Sequence, residues 1–389
     1  MVPATNFELY YLSSVSRLLK AKDGELELKL FLPFGLEKNL TPELKNLYSG
    51  IDFFQMPALT PKISKNPVKM LFNVLENLRQ YRNFKRQAKK TVEGCDIICR
   101  AGIKEFFANV LCKISPKDVR LVALRTANEE AENPALYQKR PLLSFFLNIK
   151  NFLFGYSVME YKWRAGLKFS LNRILSNVDS DLIAKNFVRY PYHRTISITD
   201  YDIGKKGQNF RLPPSFRALK EIYRIEDDSP SILVAGDQTP LYSSWDAEDQ
   251  KRYDEFFNYM RENFKDYKLY FKGKKRKTDI SQYNLDGFEV LDPGFCLEEI
   301  CLKKNIKKVI SIRSSSSKIA SWLGVSGYLL YPLFKMPEAL RKIVENENCD
   351  MRSIIRINNF EDLNKDSNHS NQKYNINDLV SLYWEAIVA

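Results

Sequence analysis

Four consecutive serines, Ser314, Ser315, Ser316 and Ser317, follow the run Val309-Ile310-Ser311-Ile312 and precede Ile319, Trp322 and Leu323, which fall at helical spacing. The stretch from Lys308 to Gly324 therefore reads as strand, hydroxyl-rich turn and helix. Such a turn offers hydroxyls and unpaired backbone N–H groups at a helix start, where an anion such as a nucleotide phosphate is best held. Arg313 and Lys318 flank it with positive charge. The competing reading is that the serines only cap the helix. A nucleophilic serine is not indicated, because no histidine or other base is placed to activate it.

Three more stretches have the same character of polar loops beside apolar strands. Gly236-Asp237-Gln238-Thr239-Pro240 follows Ser231-Ile232-Leu233-Val234-Ala235, and Lys272-Gly273-Lys274-Lys275-Arg276-Lys277 follows Tyr267 to Phe271. Asp292-Pro293-Gly294-Phe295-Cys296 follows Phe288 to Leu291 and leads into a helix that begins with Glu298 and Glu299. Between them the pattern alternates: helix from about 247 to 264, helix 296–304, strand 308–312, helix 317–323, strand 327–331. Alternation of this kind predicts a parallel sheet, with all four loops at its carboxyl edge, where α/β proteins bind ligands. The lysine run from Lys272 to Lys277 equally fits a solvated basic loop.

The first half of the chain alternates as well. A helical pattern through Leu9, Leu12, Val15, Leu18 and Leu19 starts almost at once, so residues 1–6 read as the tail of a strand and its loop, which leaves room for an earlier start. Strands are predicted at 26–32, 51–56, 96–100 and 119–124, and a helix through Val68, Leu71, Phe72, Leu75 and Leu78. Residues 141–225 read as mainly helical or irregular. The acidic, proline-containing segment Glu226-Asp227-Asp228-Ser229-Pro230 reads as a turn and boundary. This gives an acceptor-side Rossmann-like domain over 1–228, a nucleotide-binding one over 229–365, and a polar loop with a closing helix over 366–389. Two such halves without a GxGxxG or Walker motif predict the α/β GT-B plan, in which two Rossmann-like domains face a cleft.

Bulk properties narrow the function classes. The chain has 389 residues, 44% of them hydrophobic, so it can build two cores. There is no apolar run of membrane-spanning length and no apolar leader, and six cysteines without zinc spacing suit a reduced, cytoplasmic protein. Two histidines leave little for a metal centre, and a hydrogen-bonded structural role is favoured for His193. The net charge of +13 asks for an anionic partner. Nucleic acid is not expected, since no RNP, helix-turn-helix or zinc signature is present. The basic stretch Lys62 to Lys90 and the aromatic stretch Leu142 to Tyr156 would suit an anionic headgroup or lipid-linked glycan on the inner face of the membrane. They would equally suit ordinary core with a solvated face.

The loops of the second half resemble motifs of the bacterial sialyltransferase-like GT-B enzymes, the lipooligosaccharide and capsule sialyltransferases with their Kdo-transferring relatives. Those enzymes have a Gly-Gln-Pro-like turn after the first strand of the nucleotide domain, a K-x-H-P motif, an acidic helix start and a Ser-Ser motif. The likeness in motifs covers about the last third of the chain. Here the first turn carries an insertion, and Lys274 and Lys275 stand where the family has histidine and proline. The resemblance implies an inverting, metal-independent and cofactor-free glycosyltransferase moving an acidic sugar from a CMP-sugar onto a cell-surface glycan or glycolipid. It implies a donor turn at Gly236 and Gln238, and phosphate contacts from Lys272, Lys274, Arg276 and Ser314 to Ser317. It further implies nucleoside contact from Glu298 or Glu299, and a general base at Glu129 or Glu130. Lys274 would keep charge stabilisation of the leaving phosphate but, with an ordinary pKa near 10.4, would be a poor proton donor. Glu129 and Glu130 also fit the charged first turn of a helix. Two alternatives stay open: a UDP- or GDP-sugar donor on the same fold, and a non-catalytic basic protein binding anionic membrane or polymer.

Overall fold

The structure, a computed structural model, describes residues 1–3, 5–55, 67–101, 115–116, 118–125, 193–198, 208–236, 246–274, 280–338, 341, 344–345, 354–365 and 374–389. Two compact units divide the chain: Met1–Leu12, Glu25–Leu212 and Trp384–Ala389 in the first, Ser13–Gly24 and Pro213–Tyr383 in the second. The division thus falls at Leu212, ahead of the boundary expected at 228. Among the described residues no helix is long and apolar enough to cross a membrane.

In the first unit, β1 (Lys29–Pro33) pairs in parallel with β2 (Gly50–Phe54). A second parallel sheet has the order β3 (Ile97–Ala101), β4 (Arg120–Arg125), β5 (Arg194–Ser197), β6 (Gln208–Arg211). The chain start joins the two. The Met1 ammonium donates to Lys29 O at 2.7 Å and Phe31 N to Met1 O at 2.9 Å, while Val2 bridges Arg100 in parallel. Where the tail of a strand is expected ahead of α1 (Asn6–Lys22), Val2 makes one isolated parallel bridge rather than a strand. Strands β5 and β6 are a correction: they lie in the 141–225 region read as helical or irregular. They are four residues each, and the exposed pattern of β6 gives no alternation to detect. His193 sits at the head of β5, and its Nδ1 accepts from Leu121 N at 2.9 Å, a backbone-fixing role.

Helix α2 (Pro42–Lys45) is capped by Thr41, and α3 (Pro67–Val92) buries Phe84 and Ala88 against Phe31 and Phe54. Arg120 donates to Ile387 O and Val388 O at 3.1 and 2.7 Å, and Arg194 to Glu385 O and Ala386 O at 3.1 and 3.2 Å. Two guanidinium groups thus satisfy the last carbonyls of α7 (Ile376–Ile387), the end of a helix that favours cations.

The second unit holds a six-stranded, all-parallel sheet of β7 (Asp227–Ala235), β8 (Lys268–Lys272), β9 (Glu289–Val290), β10 (Lys304–Ser311), β11 (Ser326–Leu329) and β12 (Ile354–Arg356). Their spatial order is β12-β11-β10-β7-β8-β9. The segment read as a boundary turn is mostly strand: β7 starts at Asp227, and Lys304 pairs with Asp227 across a register shift. Pro230 fits there because the irregular pairing asks for no regular N–H ladder.

Helices α4 (Ala247–Asn263), α5 (Leu297–Lys303) and α6 (Ser316–Trp322) pack on this sheet. Asp246 caps α4, accepting from Asp249 N at 2.9 Å. Its buried residues Tyr253, Phe256, Phe257 and Met260 recur at three and four, forming one face. That face meets Phe271 and Phe288, with ring centroids 6.2 and 5.3 Å from Phe257. Burial of each such ring contributes roughly 2–3 kcal/mol, so this aromatic layer anchors the strands whose ends carry the polar loops.

Candidate functional site

The strand order of the second unit places its first and fourth strands, β7 and β10, side by side, with the chain leaving in opposite directions from them. That is the topological switch point of a doubly wound sheet, and the crevice for a ligand opens beyond the carboxyl ends of those two strands. The register shows which residues reach it. Ala235 is level with Ser311 on one side and with Lys272 on the other, so Gly236, the serine turn and the Lys272 loop leave the sheet together. Gly236 N donates to Lys272 O at 2.9 Å, and a β-carbon at Gly236 would lie 2.6 Å from the Phe271 ring. Glycine here allows the first strand to end against an aromatic core residue.

The four serines divide by burial. Ser317 is fully buried; its Oγ donates to Tyr328 O at 2.7 Å and lies 2.8 Å from Ser311 Oγ. Ser311 Oγ reaches Ser314 O at 3.2 Å, so the strand end and the turn share one hydroxyl network. Ser314 is buried too, and its Oγ accepts from Ser316 N at 3.3 Å and lies 2.9 Å from Ser316 Oγ. Ser315, at the N-cap position of α6, is exposed and makes no side-chain cap bond. The capping reading thus holds for Ser314, while Ser315 and the half-buried Ser316 are the hydroxyls turned toward solvent. Lys318 lies along the helix with its ammonium 5.2 Å from the Trp322 ring centroid, a cation–π contact.

Gly327 is a packing position beneath the serine turn that its place in a strand does not by itself reveal, so the sequence reading missed it. A β-carbon there would lie 2.2 Å from Ser317 O, so α6 seats directly on the β11 backbone. The available signal was a glycine inside a strand, which marks close backbone approach. Ser311 was missed as well, having been read only as part of the strand.

The acidic helix start also divides. Glu298 is only 4% exposed, and burial raises its pKa to about 6, against lowering by its own backbone N–H and by the Lys272 charge. Lys272 is half-buried with its Nζ 3.5 Å from Pro293 O. Its pKa is lowered by burial and raised in turn by Cys296, Glu298 and Asp292. At the sheet edge burial dominates both shifts, and the Glu298 and Lys272 charges each favour the ionised form of the other. Glu299 points elsewhere: it pairs with Lys303 at 3.1 Å, which also reaches Glu226 at 3.3 Å ahead of β7. Lys274 is half-buried on the loop beyond β8. Gln238, Arg276, Glu129 and Glu130 lie outside the described residues.

No family model matches the chain, and no curated protein matches it in sequence. Among solved structures, it is similar to the UDP-GlcNAc 2-epimerase of Methanocaldococcus jannaschii, with 13% identity over 98% of this chain and 96% of that one, at a TM-score of 0.52. Weaker likeness extends to the MurG of Acinetobacter baumannii, at 10% identity over 99% and 93% and a TM-score of 0.39. The wall teichoic acid polymerase TagF gives 12% over 100% and 83% and a TM-score of 0.46. At such identities the likeness is one of fold, and with two Rossmann-like units of parallel sheet the chain has the α/β GT-B fold.

Proposed function

We propose that the protein is a glycosyltransferase that binds a nucleotide sugar at the carboxyl edge of the sheet in its second unit. One observation supports this reading: Gly236, Lys272 and the Ser314–Ser317 turn follow neighbouring strand ends at the carboxyl edge of the second unit's sheet, with Glu298 close enough to act on the Lys272 charge. Ser315 and Ser316 would donate to the donor phosphate. The charges of Lys272 and Lys274 would stabilise the leaving phosphate without a bound metal, because electrostatic preorganisation is strongest where water is excluded. Glu298, poised near pH 6, would accept from a ribose or base donor group when ionised. The acceptor hydroxyl would lose its proton to Glu129 or Glu130.

The donor in this proposal carries an acidic sugar on CMP, as the motif resemblance implies, and the acceptor is a surface glycan or glycolipid. Peripheral contact with the inner face of the membrane accompanies it. On α3, Val68, Phe72 and Leu75 are exposed beside Lys69, and the helix runs on through Arg82, Lys85, Arg86, Lys89 and Lys90. A basic, partly apolar helix of this kind suits anionic headgroups. The epimerase likeness favours a second reading, in which a UDP-sugar is bound and remodelled in place.

The deciding experiment is a thermal-shift panel of CMP, UDP and GDP on the native protein and on Ser315→Ala and Lys274→Ala. A ligand at a hundred times its Kd should stabilise by about 2.7 kcal/mol. Stabilisation by CMP that both variants weaken supports the proposal. Stabilisation by UDP alone moves the donor to a UDP-sugar, and product analysis then separates transfer from epimerisation. No nucleotide response, or one indifferent to both substitutions, would sink the site.

A further inference from the structure

The opposite, amino edge of the same sheet holds a cavity of about 530 Å³, entirely within the second unit. Its walls come from the beginnings of strands and the turns before them: Pro230 in β7, Tyr267 before β8, residues 304–308 of β10, and Gly324 and Ser326 around the start of β11. From Lys308, the lining residue furthest along β10, to Ser311 the strand climbs roughly 10 Å at 3.3 Å per residue, so the cavity and the serine turn lie at opposite edges of the sheet.

Four lysines line the cavity, Lys220, Lys304, Lys307 and Lys308, and no acidic residue does. Lys308 is already engaged, donating to Tyr328 OH at 2.8 Å, and Lys304 donates to Tyr270 OH at 3.3 Å. Two carboxylates at this edge are paired with lysines outside the cavity, Asp227 with Lys268 at 3.2 Å and Glu226 with Lys303 at 3.3 Å. The charges around Lys220 are chiefly other cations. Its pKa is lowered by burial, with the Cys301 thiol acting to raise it and Arg217 and Lys307 lowering it further. Cys301 brings no negative charge, since burial first and Glu298 second push its pKa to about 12. A concave, single-sign wall of this kind concentrates anions. Tyr223, Ile225 and Pro230 add an apolar wall, and the volume is that of a small-molecule site rather than of an inorganic ion.

We propose that this cavity is a second ligand site, for a soluble, phosphate-bearing small molecule whose anionic group sits among Lys220, Lys304 and Lys307 and whose organic part lies against Tyr223 and Pro230. It is independent of the donor site and stands whether or not the donor reading does.

Pyrophosphate titrated calorimetrically into the full chain tests it. The double variant Lys220→Ala, Lys307→Ala should bind about tenfold more weakly or worse. A control with the same loss of charge, Lys251→Ala with Lys265→Ala, should bind as the native protein does. The component lost in the first variant should survive Lys272→Met, which separates it from phosphate binding at the opposite edge. The proposal is overturned if the native protein takes up no pyrophosphate, if the control loses as much as the lysine-pocket variant, or if that variant binds unchanged. Cosedimentation with phosphatidylglycerol vesicles that disappears in the Lys220, Lys307 variant would instead assign the phosphate to a lipid headgroup and overturn the soluble ligand.

Discussion

Two lysine-bearing walls of the second unit, the Lys272 loop at the carboxyl edge of the sheet and the cavity wall around Lys220 at its amino edge, differ in electrostatic setting. At the carboxyl edge Lys272 shares its surroundings with Glu298 and Asp292, and the serines are tied into a hydroxyl network. At the amino edge Lys220 faces Arg217 and Lys307. A compensated edge is held in shape by its own polar contacts and selects a ligand by the geometry of its donors. An uncompensated edge is repulsive when empty, and attracts any polyvalent anion in a salt-dependent way. The same residue type therefore argues for different ligand chemistry at the two edges of one sheet.

The comparison breaks most visibly at the glycines. Gly327→Ala should cost about 1–3 kcal/mol or more, because its β-carbon overlaps a backbone carbonyl that cannot rotate away. Urea unfolding would show this as a lowered midpoint, and any nucleotide response should fall with it as α6 lifts from β11. At the amino edge, Gly324 has φ +74 and its β-carbon would meet only the Lys220 ammonium at 3.8 Å. Gly324→Ala should cost about 1 kcal/mol, from the left-handed backbone alone. Equal costs at the two positions would mean that α6 is not seated on β11 as described.

Glu298→Gln sharpens the picture of the compensated edge. The carboxyl titrates near 6 in the fold against an ordinary value of 4.5, so the folded state holds its proton more tightly than the unfolded state does. Its contribution is thus most favourable below pH 4.5 and is lost as pH rises through 6, by about 2 kcal/mol at 1.36 kcal/mol per unit. The glutamine variant lacks this fall. Relative to the native protein, its unfolding free energy should improve between pH 4.5 and 7.5, and an unchanged difference across that range would show that Glu298 is not buried as drawn.

How much of this was legible in the sequence follows from the same physics. Strands β7, β8, β10 and β11 were readable as short continuous runs buried on both faces, and helices α4 to α6 from apolar residues at helical spacing. The loops at the carboxyl edge followed from parallel alternation alone. The split between Glu298 and Glu299 was not readable, since adjacent helix positions point about 100° apart and only the packed neighbours decide which one is buried. Nor was the division among the serines, which depends on the contact of Ser317 with β11, a partner brought in by the crossover. The amino-edge cavity was hidden for the same reason: Lys220 is nearly ninety positions from Lys307 in sequence, and its wall exists only once the strands are paired.

Within the serine turn the expected effects are smaller and differ by position. Ser317→Ala removes a buried donor from Tyr328 O and a partner from Ser311, and should cost about 1–2 kcal/mol in urea unfolding. Ser315→Ala should stay within about 0.5 kcal/mol, because no fold contact depends on its hydroxyl. A large cost at Ser315 would make the residue a cap rather than a ligand group.

The smallest effect should carry the most informative sign. Lys307 is exposed, and removing its charge relieves repulsion on Lys220 at the amino edge. Lys307→Ala should therefore raise the unfolding midpoint slightly in a buffer of low ionic strength. The gain should vanish as salt shortens the screening length to a few ångströms. At the compensated edge, Lys272→Met should do the reverse, leaving Glu298 without its cation and driving that carboxyl's pKa further upward. If both substitutions moved stability in the same direction at low salt, the contrast between the two edges would be one of position only, and the argument for an anion at the lysine-lined cavity would lose its electrostatic basis.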